Sequence, residues 1–151
     1  MEMTSEFRHV IRVIDTDLDG SMKVAYALTR IKGVGTRLAH AVVRAAGVEP
    51  DARLGFLSEE DVKRIEDVLR NPLKYGILPY LLNRQRDPST GRDIHLLSAD
   101  LVLQMKADIN FMKRIKCWKG IRHSLGLKVR GQRTRTTGRK GMTVGVRRKK
   151  R

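Results

Sequence analysis

The sequence predicts a mainly α-helical protein: a small helical body with a helix–hairpin–helix unit, a long projecting helix, and an extended basic C-terminal tail. Three observations carry this expectation. Apolar residues recur at helical spacing in four stretches between Ser21 and Trp118. Hydrophobic residues make up 40% of the 151, enough for a modest core, with aromatics at only 5%. The charge is also partitioned: Lys113 to Arg151 hold 16 of the 32 lysines and arginines and no acid, the last acid being Asp108. The whole excess of +16 therefore sits in the final quarter of the chain. Like charges at that density repel, and too few apolar residues accompany them to build a core. Such a segment needs a dense polyanion to lie on.

Phe7 to Ile14 alternate loosely and are rich in β-branched residues, which points to an extended or strand-like segment. Asp15 to Gly20, DTDLDG, matches the first half of a calcium loop. The twelfth position, however, is Tyr26 where a bidentate acid is needed, and an extended segment precedes it where that motif has a helix. The stretch is expected to be a turn that leads into and caps the next helix. Ser21 to Ile31 places Val24, Ala25, Leu28 and Ile31 at helical spacing. Lys32-Gly33-Val34-Gly35 then breaks the pattern, and Thr36 is expected to cap a second helix from Arg37 to Ala46, with Leu38, Ala41, Val42 and Ala45 on its inner face. Gly47 stands at the usual C-terminal glycine position.

Helix, glycine-bearing hairpin, helix is a compact phosphate-reading unit. Two glycines let the backbone approach a phosphate without a Cβ in the way. The amides opening the second helix then face the anion, aided by the helix dipole. Lys32, Gly33, Val34, Gly35, Thr36 and Arg37 form the first group of candidate RNA-binding residues. A plain inter-helix turn is the alternative. On the phosphate reading, replacing both glycines by alanine weakens RNA binding and leaves the body folded. A dinucleotide fingerprint fails, because its third glycine position is Leu38.

Ser58, followed by Glu59, Glu60 and Asp61, starts a helix whose first-turn acids oppose the positive end of its dipole. Val62, Ile65, Val68 and Leu69 give it a buried face, and Asn71-Pro72 ends it. Residues 83–97 contain Asp87-Pro88-Ser89-Thr90-Gly91, turn chemistry expected in an exposed loop or small hairpin. Ser98 opens the longest helix. Leu101, Met105, Ile109, Met112 and Ile115 form a stripe in which the methionines are expected to fill an irregular core. That helix is expected to run to about Trp118, with Gly120 permitting the stop. Beyond it, glycines alternate with arginine, lysine and threonine, a composition that suits a segment ordered on RNA. The organisation is thus a body over 1–97, the long helix over 98–118 and the tail over 119–151.

No constellation points to chemistry. The four histidines, at 9, 40, 95 and 123, show no metal spacing, and Cys117 has no second cysteine. No catalytic residue, metal or cofactor is expected. No apolar run approaches the ~20 residues that span a bilayer, and MEMTSEFRHV has acids where a secretory signal would carry bases. A cytoplasmic, nucleic-acid-bound protein is expected, with no membrane partner.

The stretch Lys119 to Gln132, KGIRHSLGLKVRGQ, resembles the signature of the thirteenth small-subunit ribosomal protein family. RTRTTGR from Arg133 continues the likeness, as do IKGVG, LNRQRD and the acidic capped helix at 58–71. DPSTGRD and TTGRKGMTVGV are similar to the archaeal and eukaryotic cytoplasmic branch. The resemblance implies a place in the head of the small ribosomal subunit, with a helix–two-turns–helix-like body on small-subunit rRNA. It further implies that the long helix joins an intersubunit bridge to a large-subunit protein. The tail would reach the tRNA in the peptidyl site, beside a neighbouring small-subunit protein, the nineteenth. The second group of candidate RNA-binding residues lies there. Lys119, Arg122, His123, Lys128, Arg130 and Gln132 fall in the signature. Arg133, Thr134, Arg135, Thr136, Thr137, Arg139 and Lys140 follow it, and Arg147, Arg148, Lys149, Lys150 and Arg151 close the chain.

The rival is a helix–hairpin–helix DNA-binding protein. A repair glycosylase of that kind would need a catalytic Lys or Asp near the hairpin, and no acid follows Gly35 until Glu49. A polybasic membrane-surface protein would need an amphipathic basic helix or a lipidation motif. The charge partition yields a quantitative expectation. Removing residues 133–151 deletes Arg133, Arg135, Arg139, Lys140 and the terminal RRKKR, nine of the 16 tail cations. Log affinity for RNA falls with log salt by roughly 0.7–0.9 per phosphate contacted, so a titration of the truncated chain should show a slope lower by several units. An unchanged slope would take the tail off the RNA backbone.

Overall fold

The computed structural model describes residues 7–138 together with 141 and 145. The chain divides into two compact units, Met1–Leu103 and Gln104–Arg151. In the first, β1 (Val10–Val13) and β2 (Thr16–Asp19) pair antiparallel, with Val13 opposite Thr16. Ile14 and Asp15 join them with φ of 42° and 55°, the left-handed pair that a tight two-residue hairpin uses. DTDLDG is therefore mostly strand rather than a turn into a helix. Its alternation is real: Leu18 is 1% exposed, while Asp17 and Asp19 face solvent on a strand whose outer side is wet.

Among the described residues five α-helices follow: α1 (Val24–Leu28), α2 (Thr36–Ala45), α3 (Glu59–Arg70), α4 (Ser98–Arg114) and α5 (Trp118–Leu125). The mainly helical class holds. Helix α1 is one turn and a half, shorter than the expected 21–31, and Val24, Ala25, Ala27 and Leu28 are all buried. In α2 the inner face is Leu38, Ala39, Val42 and Val43, and Ala45 is exposed. The small alanines had left the face ambiguous by one position. Helix α3 is as expected: the Ser58 hydroxyl accepts from the Asp61 N–H at 3.1 Å and donates to the Asp61 carboxylate at 2.7 Å, closing the cap. Its Ile65, Val68 and Leu69 join Val13, Leu18, Leu28, Ile31 and Leu54 in the core. Each such side chain contributes about 1.5–3 kcal/mol when fully buried.

The segment between Leu82 and Leu97 is organised by one carboxylate. Asp87, 4% exposed, takes Arg84 Nε at 2.5 Å, the Thr90 N–H at 3.1 Å, the Thr90 hydroxyl at 3.0 Å and the Ser89 hydroxyl. The turn is closed by the Gly91 N–H on the Asp87 carbonyl at 2.7 Å, and Arg84 pairs with Ile94 in a β-bridge.

Helix α4 departs from the sequence reading. It ends at Arg114 rather than near Trp118, because Ile115 and Lys116 turn away, Lys116 with φ of 56°. None of its residues is buried, so its methionines fill no core; Met105 is 55% exposed. Leu103 and Phe111 lie off the expected stripe, and apolar side chains are spread round the helix. In the second unit, Cys117 caps α5: its sulfur accepts from the Gly120 N–H at 3.4 Å and its S–H donates to the Met112 carbonyl at 3.5 Å. Gly120 is not a stop but a contact. A Cβ there would stand 2.1 Å from the Met112 carbonyl oxygen, so the start of α5 lies directly on the end of α4.

Asp87 makes a pH prediction. The Ser89 hydroxyl, then the Arg84 guanidinium, then Thr90 hold its carboxyl well below the usual carboxylate range. Its contribution is complete above the unfolded value near ~3.9 and is lost as pH falls through the lower folded value. Asp87→Asn should lower Tm at pH 7, and the gap from the parent should close on acidification below pH ~3. A gap that is constant with pH would mean the charge is not what the loop uses.

Candidate nucleic-acid interface

From Gly20 to Val48 the chain carries Lys23, Arg30, Lys32, Arg37 and Arg44 and no acid. This covers α1, the turn and α2, so the unit presents cations without an acid of its own to offset them. Lys23 is engaged by Asp51 at 2.7 Å. Lys32, Arg37 and the other two cations are exposed. Arg30 and Arg44 were not singled out from the sequence; the missing acids were the available signal. His40 is also exposed, edge-on to Tyr26 with ring centroids 6.3 Å apart.

The turn shows why glycine and apolar residues alternate. Ile31 and Val34 are pegs, 1% and 6% exposed, and the Val34 N–H donates to the Ile31 carbonyl at 3.0 Å. Val34 thus offers a ligand only its backbone. Gly33 has φ of 103°, and a Cβ there would lie 2.5 Å from the Leu96 carbonyl oxygen. That carbonyl is held by Asn83 Nδ2 at 2.7 Å, and Ser98 N–H donates to the Lys32 carbonyl at 2.9 Å. The close approach that the sequence reading assigned to a phosphate at both glycines is, at Gly33, made by the protein's own backbone.

Gly35 is different. It is the N-cap of α2 in place of the expected Thr36, with no side-chain cap, and nothing lies within 4 Å of where its Cβ would be. The amides of the first helical turn have no intrahelical acceptor. With glycine as the cap they have no side-chain acceptor either, and the dipole adds positive potential. Exposed Lys32, Thr36 and Arg37 surround this opening. Backbone donors plus two flexible cations on an open face suit a phosphate, whatever base it carries.

The second group lies in the other unit. Lys119, Arg122 and His123 are on α5, whose C-terminus is closed by Gly126 at φ 67°. Arg122 lies over the Trp118 ring, 5.6 Å from its centroid, and its Nε donates to the Lys128 carbonyl, so the signature folds back on α5 instead of starting as a loose tail. Arg130, Gln132, Arg133, Thr134, Arg135, Thr136 and Thr137 are exposed; the Arg130 N–H donates to Gln132 Oε1 at 3.0 Å and the Thr137 hydroxyl to the Arg133 carbonyl. Arg139, Lys140 and Arg147, Arg148, Lys149, Lys150 and Arg151 lie outside the described residues. Among the described residues no group of His, Cys, Asp or Glu is arranged to hold a metal ion, and no helix is long and apolar enough to cross a membrane.

Residues 12–140 match the family described as ribosomal protein S13/S18. The chain is 53% identical to the small ribosomal subunit protein uS13 of Staphylothermus marinus across the full length of both. It is 52% identical to that of Pyrobaculum islandicum, covering 98% of this chain and 96% of the relative. For that of Saccharolobus solfataricus the figures are 49% identity, 98% and 90%. These are archaeal relatives, within the archaeal and eukaryotic cytoplasmic branch that the DPSTGRD loop resembles.

The two glycines now separate experimentally. Gly33→Ala should destabilise the body by about 2–4 kcal/mol, through a strained φ and a clash with the Leu96 carbonyl. Gly35→Ala should cost no more than the ~1 kcal/mol by which alanine is the poorer N-cap, and reduce RNA affinity. Equal effects of the two variants on Tm would remove the distinction.

Proposed function

The chain belongs to the ribosomal protein S13/S18 family, and from that premise we propose that it holds small-subunit rRNA through two cationic surfaces, one on the body and one on the tail. Its role is that of a structural ribosomal protein and not of an enzyme. The observation that carries the rRNA reading is the uncapped start of α2, flanked by exposed Lys32 and Arg37 on an acid-free segment. Phosphates seat on the amides of Thr36, Arg37 and Leu38, and Lys32 and Arg37 neutralise them. Because phosphate contacts position without reading sequence, the body acts as a register pin on folded rRNA. Lys119 to Arg151 then run along further backbone, where arginine forks, threonine hydroxyls and glycine turns follow an irregular path.

Helix α4 exposes Met105 and Phe111, apolar area suited to a protein contact such as an intersubunit bridge to a large-subunit protein. The nineteenth small-subunit protein is the neighbour beside the tail, and the tail end approaches the tRNA in the peptidyl site. The protein works in the cytoplasm on the ribosome.

The test is sedimentation of an extract followed by crosslinking. The chain should travel with small subunits, and its crosslinked peptides should fall within 32–37 and 119–151 and carry rRNA. Sedimentation apart from the small subunit, or crosslinks mainly to DNA, would return the helix–hairpin–helix DNA-binding reading.

A further inference from the structure

Beside the GVG turn, the first unit contains a groove of about 540 Å³ between the β-hairpin turn, the turn that follows α1 and the first turns of α4. That volume is in the ~300–1,000 Å³ range of ligand clefts, and the groove is open to solvent along Ala99 and Leu103. Its rim is cationic, with Arg30 and Lys32; its floor is apolar, from Ala99, Val102 and Leu103. Such a division suits neither a bare anion, which has no use for the floor, nor an apolar peptide, which has no use for the rim. It suits an unstacked nucleotide: a flat base packed on apolar side chains with its phosphates on the cations.

The groove is also built rather than accidental. Ser98, at φ 41°, ties its three walls together: its N–H donates to the Lys32 carbonyl at 2.9 Å and its hydroxyl to the Ile14 carbonyl at 3.2 Å. The Thr16 hydroxyl lies 3.4 Å from the Ser98 hydroxyl, and the Ile14 N–H is held by Glu66 at 3.2 Å. Asp15, also on the rim, has its carboxylate 3.5 Å from Arg12. An acceptor there disfavours a second phosphate and favours the exocyclic amine of a base.

We propose that this groove is a seat for one splayed-out RNA base, next to the phosphate site at Gly35–Arg37. The inference rests on the RNA-binding reading above and names a further contact of the same face. Two different parts of the nucleotide are thereby read: the turn takes the backbone and the groove takes the base. It makes the body selective for a single-stranded or bulged nucleotide over a continuous duplex, a selectivity that phosphate contacts alone do not supply.

The experiment is a methyl and amide NMR titration of the full-length chain with a single-stranded cytidine decamer and with the same decamer made abasic. The cytidine strand should shift the methyls of Val102 and Leu103 upfield, as a base ring stacked on them would, together with the amides of Gly35, Thr36 and Arg37. The abasic strand should shift the amides and leave the methyls. Leu103 is 62% exposed, so Leu103→Ser should keep the fold. It should weaken the site followed through the Val102 methyls about three- to tenfold, the effect of losing a partly buried aliphatic contact. Amide shifts with both strands and unmoved methyls would overturn the base seat and spare the phosphate reading. No shift at either place would overturn both.

Discussion

The cationic face of the body hangs from one close approach: the Leu96 carbonyl occupies the space that a side chain at residue 33 would need. Gly33 accepts a φ of 103° to make that possible, and Asn83 holds the carbonyl beside it while receiving the Leu96 N–H at 3.0 Å. Next to it, Ser98 bonds the Lys32 carbonyl. The loop that follows α3 is thereby fastened to the turn between α1 and α2. The direction of the α2 amides, and hence the proposed phosphate site, depends on residues far along the chain. A helix N-terminus binds an anion well only if it is held still, because an ordering cost at binding would offset the gain.

Electrostatics divides the labour. Within the body, acids and bases balance over the whole, but the acids are placed to serve folding. Asp61 closes the α3 cap, Asp87 knots the loop, and Asp51 holds Lys23. The Asp19 carboxyl is held below its usual range by the Ser21 N–H and hydroxyl, with smaller help from Arg30. With its acids engaged at the edges, the α1–α2 face stays positive. The tail has no acids at all, so its affinity is expected to be the more salt-dependent of the two.

Family membership and physical reading meet at the signature KGIRHSLGLKVRGQ. Its first half is helix α5, capped by Cys117, with Gly120 laid on the Met112 carbonyl. Its second half is turned back by Gly126 and by the bond from Arg122 to Lys128. The lone cysteine is thus a capping group, and the glycine is a packing requirement. The sequence offered Gly120 only as a helix stop and Cys117 only as a cysteine without a second, and both are structural.

The sequence by itself determined the helical class, the cap and face of α3, the position of the glycine turn between α1 and α2 and the concentration of charge in the tail. Each of these depends on local chemistry: periodicity, a serine before three acids, glycine between apolar pegs, and the count of cations. Tertiary structure alone decided that Asp17 and Asp19 sit on a strand, that α4 buries none of its apolar residues, and that α4 and α5 are separate helices. It also decided that Gly33 and Gly35 do different work. On the page they are a matched pair two residues apart. In space one is filled by the carbonyl of Leu96 and the other faces open space, a difference set by a segment whose approach no local pattern encodes.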